Sequence, residues 1–246
     1  MQFVCGKVSG SLSVASEEVH LWLVDFSDAV GGYRPYLSYL SPNELLRAQR
    51  FVHESSREQY VLSHAVLRML LSRYLGWAHD KQEFVASDKG KPGLPSDKLR
   101  FNLSHSHGCA LIAVSSGVEV GVDIELVKHK EALGGLAQRF YADAECAWLS
   151  SAESQQEYLD RFYHVWVCKE AYLKALGLGL TVSLKSFSVI DLDSKTLMPM
   201  LSSADGEKCY LASSLVQQAG GCYRLAYGSM GCNLRVVSQK WDFLVS

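Results

Sequence analysis

Nine residues near the middle of the chain, Val118–Leu126, alternate without a break: Val118, Val120, Val122, Ile124 and Leu126 are apolar, whereas Glu119, Gly121, Asp123 and Glu125 are not. A period of two marks an extended strand with one face in a core. It also forces Asp123 and Glu125 onto one face, about 7 Å apart at two strand residues' rise. Like charges so placed repel and gain from a shared cation. Oxygen donors alone suit Mg²⁺, which commonly takes one or two carboxylates and completes its shell with waters and substrate phosphate. A solvated strand face produces the same pattern, so the pair needs company before it means chemistry.

The flanking sequence predicts helices and strands in two similar rounds. Val19–Phe26 is a short apolar strand. Ser41-Pro42-Asn43-Glu44 has the spacing of a capping box with proline at the first helical position, and opens a helix toward Phe51. A second helix spans about 55–75, with Tyr60, Leu62, Ala65, Val66, Met69, Leu70 and Tyr74 as a broad apolar stripe. Residues 87–97 are turn-forming, and strands follow at about 99–103 and 109–114. Helices at 141–149 and 160–176 come next, the second stopped by Gly177-Leu178-Gly179. Strand-like runs at 186–192, 208–213, 222–227 and 234–237 close the chain. This order predicts an α+β protein of two pseudo-symmetric halves, 1–116 and 117–246, the second carrying any site built on Asp123.

Composition narrows the function. Lys and Arg number 24 against 26 Asp and Glu, and there is no basic run, which argues against a nucleic-acid partner. Apolar stretches such as Cys109–Val114 fall far below the ~20 residues of a membrane span. The first residues lack a basic head with a long apolar run, so no secretory signal is expected. The seven cysteines are irregularly spaced and form no zinc pattern. They read as thiols of a reducing cytoplasm.

Three further clusters could carry chemistry. Trp166, Glu170 and Lys174 stand at i, i+4 and i+8 on one side of a largely apolar helix. Lys89-Gly90-Lys91-Pro92 puts two lysines on a turn, where they could meet phosphates or simply be a charged loop. Asn102-Leu103-Ser104-His105-Ser106 lies between two strands, where its side chains could donate to an anion or serve structure. In chain order the motifs read GKP (90–92), FNLSHS (101–106), GVDIE (121–125) and WVCKEAYLK (166–174). This series closely resembles the 4′-phosphopantetheinyl transferases of the surfactin-synthetase-associated type, from about Ser41 to Val189.

The resemblance implies transfer of the phosphopantetheine arm of coenzyme A to a serine of an apo acyl or peptidyl carrier protein, leaving 3′,5′-ADP, with Mg²⁺ required. It implies Asp123, Glu125 and Glu170 as metal ligands and Lys174 near the coenzyme A phosphates. It further implies Ser104, His105, Lys91, Lys89 and Asn102 around those phosphates, with His105 toward the 3′-phosphate and Arg47 as another basic contact. Glu170 is the first candidate base for the carrier serine and Glu145 the second. Some relatives carry an arginine near Gln59, for which Arg57 could substitute. Members of this length are expected to be monomers with the active site between their halves. Another Mg²⁺-dependent phosphotransferase, or a non-catalytic carrier-binding homologue, would be the alternatives. The last fifty or so residues match nothing that can be mapped.

Overall fold

Two 22-residue helices bracket the molecule, and each stops at a glycine in the left-handed conformation, Gly76 and Gly177. A computed structural model describes every residue except 6–9, 97, 192–195, 199, 204 and 244–246. In chain order it contains β1 (Val4–Cys5), β2 (Glu18–Asp25), α1 (Pro42–Gln49), α2 (Glu54–Leu75), and a small ribbon of β3 (Val85–Ala86) and β4 (Pro92–Gly93). Then come β5 (Arg100–Ser106), β6 (Cys109–Ser115), β7 (Val120–Leu126), α3 (Leu133–Phe140), α4 (Asp143–Ser150) and α5 (Gln155–Leu176). A second ribbon, β8 (Ile190–Asp191) and β9 (Thr196–Leu197), precedes β10 (Met200–Ser202), β11 (Lys208–Gln218), β12 (Gly221–Met230) and β13 (Arg235–Lys240). The expected strand at 186–192 is therefore only the two residues of β8, and its last residue lies outside those described.

The larger elements form four layers. One sheet has the order β1-β13-β2-β6-β5 and the other β10-β11-β12-β7. Helix α2 covers the outer face of the first, burying Trp22, Val24, Phe101, Ile112 and Val114. The inner faces meet through Leu21, Leu23 and Leu111 on one side and Val120, Val122, Ile124 and Leu225 on the other. Helix α5 covers the outer face of the second, over Cys209, Leu211 and Ala226. Alternation along each strand thus serves two cores at once. The capping box forms as the sequence predicts: Glu44 N donates to Ser41 Oγ at 3.3 Å and Ser41 N to Glu44 Oε2 at 2.8 Å.

The end of the chain departs from the expected division at 116/117. After Met230 the chain returns to the first sheet, where β13 pairs in parallel with β2. Trp241 and Phe243 then enter the core beneath α2. The unassigned C-terminal segment thus completes the N-terminal half.

The other departure concerns the polar face of β7. It is covered by α5, and Asp123 keeps only 4% of its surface. Gly121 explains the contact. A Cβ at that position would lie 2.2 Å from both the Ala171 carbonyl oxygen and the Ala175 nitrogen. Only a residue without a side chain lets the helix backbone settle on the strand, two residues before Asp123. We expect Gly121→Ala to cost at least the ~3 kcal/mol of a severe overpacking, lowering the thermal midpoint by roughly 10 °C for a chain of this size. A midpoint within about 2 °C of wild type in calorimetry would show that the helix is free to give way.

Candidate functional site

The site is built along a seam between two strands of different sheets. β5 and β7 run side by side, and side chains of β5 take the place of a backbone ladder. Val122 N donates to Asn102 Oδ1 at 2.9 Å, and Leu126 N donates to Ser106 Oγ at 3.3 Å. Ser104 Oγ donates to Asp123 Oδ1 at 2.8 Å, and Ser106 Oγ to Glu125 Oε2 at 2.7 Å. The Asn102–Ser106 segment is therefore strand rather than the connection expected between two strands. Extension through Ser106 puts residues 102, 104 and 106 on one face, toward β7, and leaves His105 exposed.

Across the seam, α5 supplies Trp166, Glu170 and Lys174 as a half-buried stripe on a stretch, 165–175, whose other residues are all buried. Lys174 Nζ lies 2.6 Å from Asp123 Oδ1 and 3.0 Å from Ser104 Oγ. Its partner is thus Asp123 and not Glu170 one turn away. Asp123 Oδ2 is buried with no partner among the described residues. Burial, then the Asp123 charge, pushes the Glu170 carboxyl above its usual range, against the pull of Lys174. Burial also raises Glu125; the Ser106 hydrogen bond opposes this and the Asp123 charge adds to it. Glu170 feels both Asp123 and Glu125, but no group of three or more acidic, histidine or cysteine side chains among the described residues converges closely enough to hold a metal unaided. An orphaned buried oxygen beside two carboxylates of raised proton affinity fits a cation that takes few protein ligands and completes its shell with other oxygens.

The remaining candidates divide. His105, Lys174 and Arg47 share one electrostatic neighbourhood: desolvation, then the charges of Lys174 and Arg47, depress the His105 imidazole below its ordinary value. Arg47 is exposed, its guanidinium 5.5 Å from the Tyr60 ring, beside an open cavity of about 590 Å³ that it lines with Arg50 and Phe51. Lys89, Asn102 and Lys174 share the walls of another of about 250 Å³.

Lys91, expected as a phosphate contact, is occupied by structure. Its Nζ donates to Glu119 Oε2 at 2.6 Å, to the Val120 carbonyl at 3.0 Å and to the Ala175 carbonyl at 3.4 Å. An ammonium has three protons, and all three are taken. Arg57, the suggested stand-in for a basic contact, donates to the Ala48 and Phe51 carbonyls and closes the end of α1.

Glu145 is not brought to the seam as an available base. It has no exposed surface; Lys169 Nζ lies 2.8 Å from its Oε2, and it accepts from Ala142 N and Val189 N. A carboxylate enclosed in this way braces α4 and α5 and has no opening to a substrate hydroxyl. Sequence reasoning also missed His107 and Lys128, which extend the seam past Ser106, and an apolar slot of about 80 Å³ beside Glu125, lined by Leu133, Leu136, Phe162 and Trp166. Only the aromatic spacing on α5 could have signalled the slot.

The model of the 4′-phosphopantetheinyl transferase superfamily matches residues 119–227, from the start of the GVDIE strand through most of β12. The 4′-phosphopantetheinyl transferase HetI of a Nostoc species is 36% identical over 174 residues, covering 69% of this chain and 73% of HetI. The 4′-phosphopantetheinyl transferase Sfp of Bacillus subtilis is 33% identical over 155 residues, 63% of this chain and 67% of Sfp. A mouse protein, L-aminoadipate-semialdehyde dehydrogenase-phosphopantetheinyl transferase, is 28% identical over 156 residues, 57% of this chain and 49% of its own. An α+β chain with these matches is a transferase by class. It belongs to the 4′-phosphopantetheinyl transferase superfamily.

The Glu145–Lys169 pair offers a direct check on the base. Lys169→Met leaves a buried carboxylate unpaired and should cost about 3–5 kcal/mol, whereas adding Glu145→Gln should recover much of it. The double variant should keep kcat close to wild type, measured per folded molecule. A large kcat loss in that stable double variant would return Glu145 to the chemistry.

Proposed function

We propose that this protein transfers the 4′-phosphopantetheine arm of coenzyme A to a serine of an apo carrier protein, in the cleft along the β5–β7 seam, with Mg²⁺ as cofactor. The observation that supports this best is Asp123, with one oxygen fixed by Lys174 and Ser104 and the other buried without a partner among the described residues. Asp123, Glu125 and Glu170 would hold the cation. When bound, it would neutralise charge on the pyrophosphate being cleaved.

The chain's own residues do the rest. Lys174 has two donors placed, on Asp123 and Ser104, and a third left for the pyrophosphate. A cation so preorganised strengthens its hold as charge moves onto the departing 3′,5′-ADP. His105 and Arg47, near enough for the arginine's charge to depress the imidazole, would take the 3′-phosphate, and Lys89 lines the cleft wall. The uncharged pantetheine arm would leave the phosphates along the apolar slot beside Glu125. The serine oxygen attacks the phosphorus of the phosphopantetheine phosphate, the bond to 3′,5′-ADP breaks, and the serine proton passes to Glu170. In the free protein, burial and the neighbouring carboxylates raise that group's proton affinity. Both walls of the cleft come from one chain, which suits a monomer. Six unpaired cysteines among the described residues suit a reducing compartment.

Intact mass of a panel of apo carriers tests the reading. Incubation with coenzyme A and Mg²⁺ should add one phosphopantetheine to at least one carrier, and EDTA should prevent it. Asp123→Ala should abolish the gain, and Lys174→Met should lower kcat at least about a hundredfold, as for other single preorganised donors. Transfer at wild-type rate by a folded Asp123→Ala protein would contradict the assignment.

His105 adds a pH signature. Its pKa is depressed in the free protein and a bound 3′-phosphate would raise it, so binding takes up a proton. Affinity for coenzyme A should therefore be fully present below the free-state pKa and fall as pH rises through the bound-state value. His105→Ala should flatten that dependence in calorimetric titrations. An unchanged pH profile in the variant would remove His105 from the phosphate.

A further inference from the structure

The turn between β5 and β6 holds His107 at φ 51°, the one non-glycine residue at positive φ among those described. A residue with a Cβ is strained there, and glycine would make the same turn with less difficulty. The ring is exposed and contributes little to packing. Its two nitrogens, however, are both engaged. Lys128 Nζ meets Nε2, and Nδ1 lies 3.0 Å from Ser106 Oγ.

Proton positions along this series follow from what its end groups can do. An ammonium only donates, so Nε2 accepts and Nδ1 carries the hydrogen. Nδ1–H then donates to Ser106 Oγ, which also accepts from Leu126 N at 3.3 Å. With two donors directed at its oxygen, the Ser106 hydroxyl has one use for its own proton: donation to Glu125 Oε2 at 2.7 Å. Glu125 Oε1 accepts no hydrogen bond from the described residues. The arrangement repeats what Ser104 does two residues earlier, where one oxygen of Asp123 is held and the other left open.

We propose that Ser106 and His107 are positioning residues that pin one oxygen of Glu125 and so present its other oxygen to the cation. Lys128, by occupying Nε2, sets the tautomer that makes the hold one-directional. Such support for a ligating carboxylate commonly affects metal affinity tenfold to a hundredfold. The inference rests on the cation reading of the same site, and the test separates the two.

Mn²⁺ is titrated into the full-length protein with saturating coenzyme A, and free ion is read by electron paramagnetic resonance. Wild type, Asp123→Ala, Ser106→Ala, Ser106→Thr and His107→Gly are compared, with thermal midpoints measured in parallel. We expect Ser106→Ala to weaken Mn²⁺ about tenfold or more and Ser106→Thr, which keeps the hydroxyl, to restore most of the affinity. His107→Gly should weaken Mn²⁺ in the same direction while its thermal midpoint holds or rises, because the turn strain is relieved. A purely structural role would move the midpoint and leave metal affinity alone. If wild type binds Mn²⁺ and Asp123→Ala does not, but Ser106→Ala and His107→Gly bind like wild type, the positioning role is overturned and the cation reading stands. If wild type binds no better than Asp123→Ala, both are overturned.

Discussion

At Gly121 the backbone of α5 rests directly on strand β7, with no room for even a methyl group between them. The cleft depends on that approach. It sets the height of the helix over the strand, and so the distance at which Lys174 meets Asp123. It also closes the polar face of β7, turning an aspartate that would otherwise sit in water into a buried one. The side chain absent at 121 and the side chains present at 123 and 174 form one arrangement.

Burying a carboxylate is costly unless it is paired, and pairing only one of its oxygens leaves part of that cost in place. The protein accepts that cost at Asp123, whose second oxygen has no partner among the described residues, and next to it raises the proton affinity of Glu125 and Glu170. Two other buried charges are fully engaged: Glu145 is enclosed by Lys169 and two backbone donors, and Arg68 reaches Glu44 and two carbonyls. Orphaned buried polar atoms occur elsewhere too, His164 Nε2 and Arg224 Nε among them, but Asp123 is the one carboxylate that carries such an atom among the described residues. That contrast, more than the presence of acidic residues, marks the site.

Much of this was legible in the residues. The alternation at 118–126 placed Asp123 and Glu125 together, and the four-residue spacing on α5 placed Glu170 and Lys174 along one stripe. The capping box at Ser41 and the glycine stop at 177 marked helix ends because both signals are local. Contacts between distant segments were not legible. Nothing near Lys91 tells that its ammonium is spent on Glu119, Val120 and Ala175, and nothing near Glu145 tells that Lys169 encloses it. The Asn102–Ser106 run read as a connection because polar residues usually end strands. Here they continue one, since its neighbour across the seam needs side-chain partners in place of a backbone ladder. The C-terminal return was hidden for the same reason: β13 is short, and its pairing with β2 crosses almost the whole chain.

The central claim is that the open oxygen of Asp123 and the third donor of Lys174 face the same pyrophosphate. Crystals grown with coenzyme A and Mn²⁺ test it directly through the anomalous signal of the metal. The account predicts a manganese peak bonded to Asp123 Oδ2, with the coenzyme A pyrophosphate between it and Lys174 Nζ. A peak that avoids Asp123, or a pyrophosphate bound outside the β5–β7 seam, would contradict it.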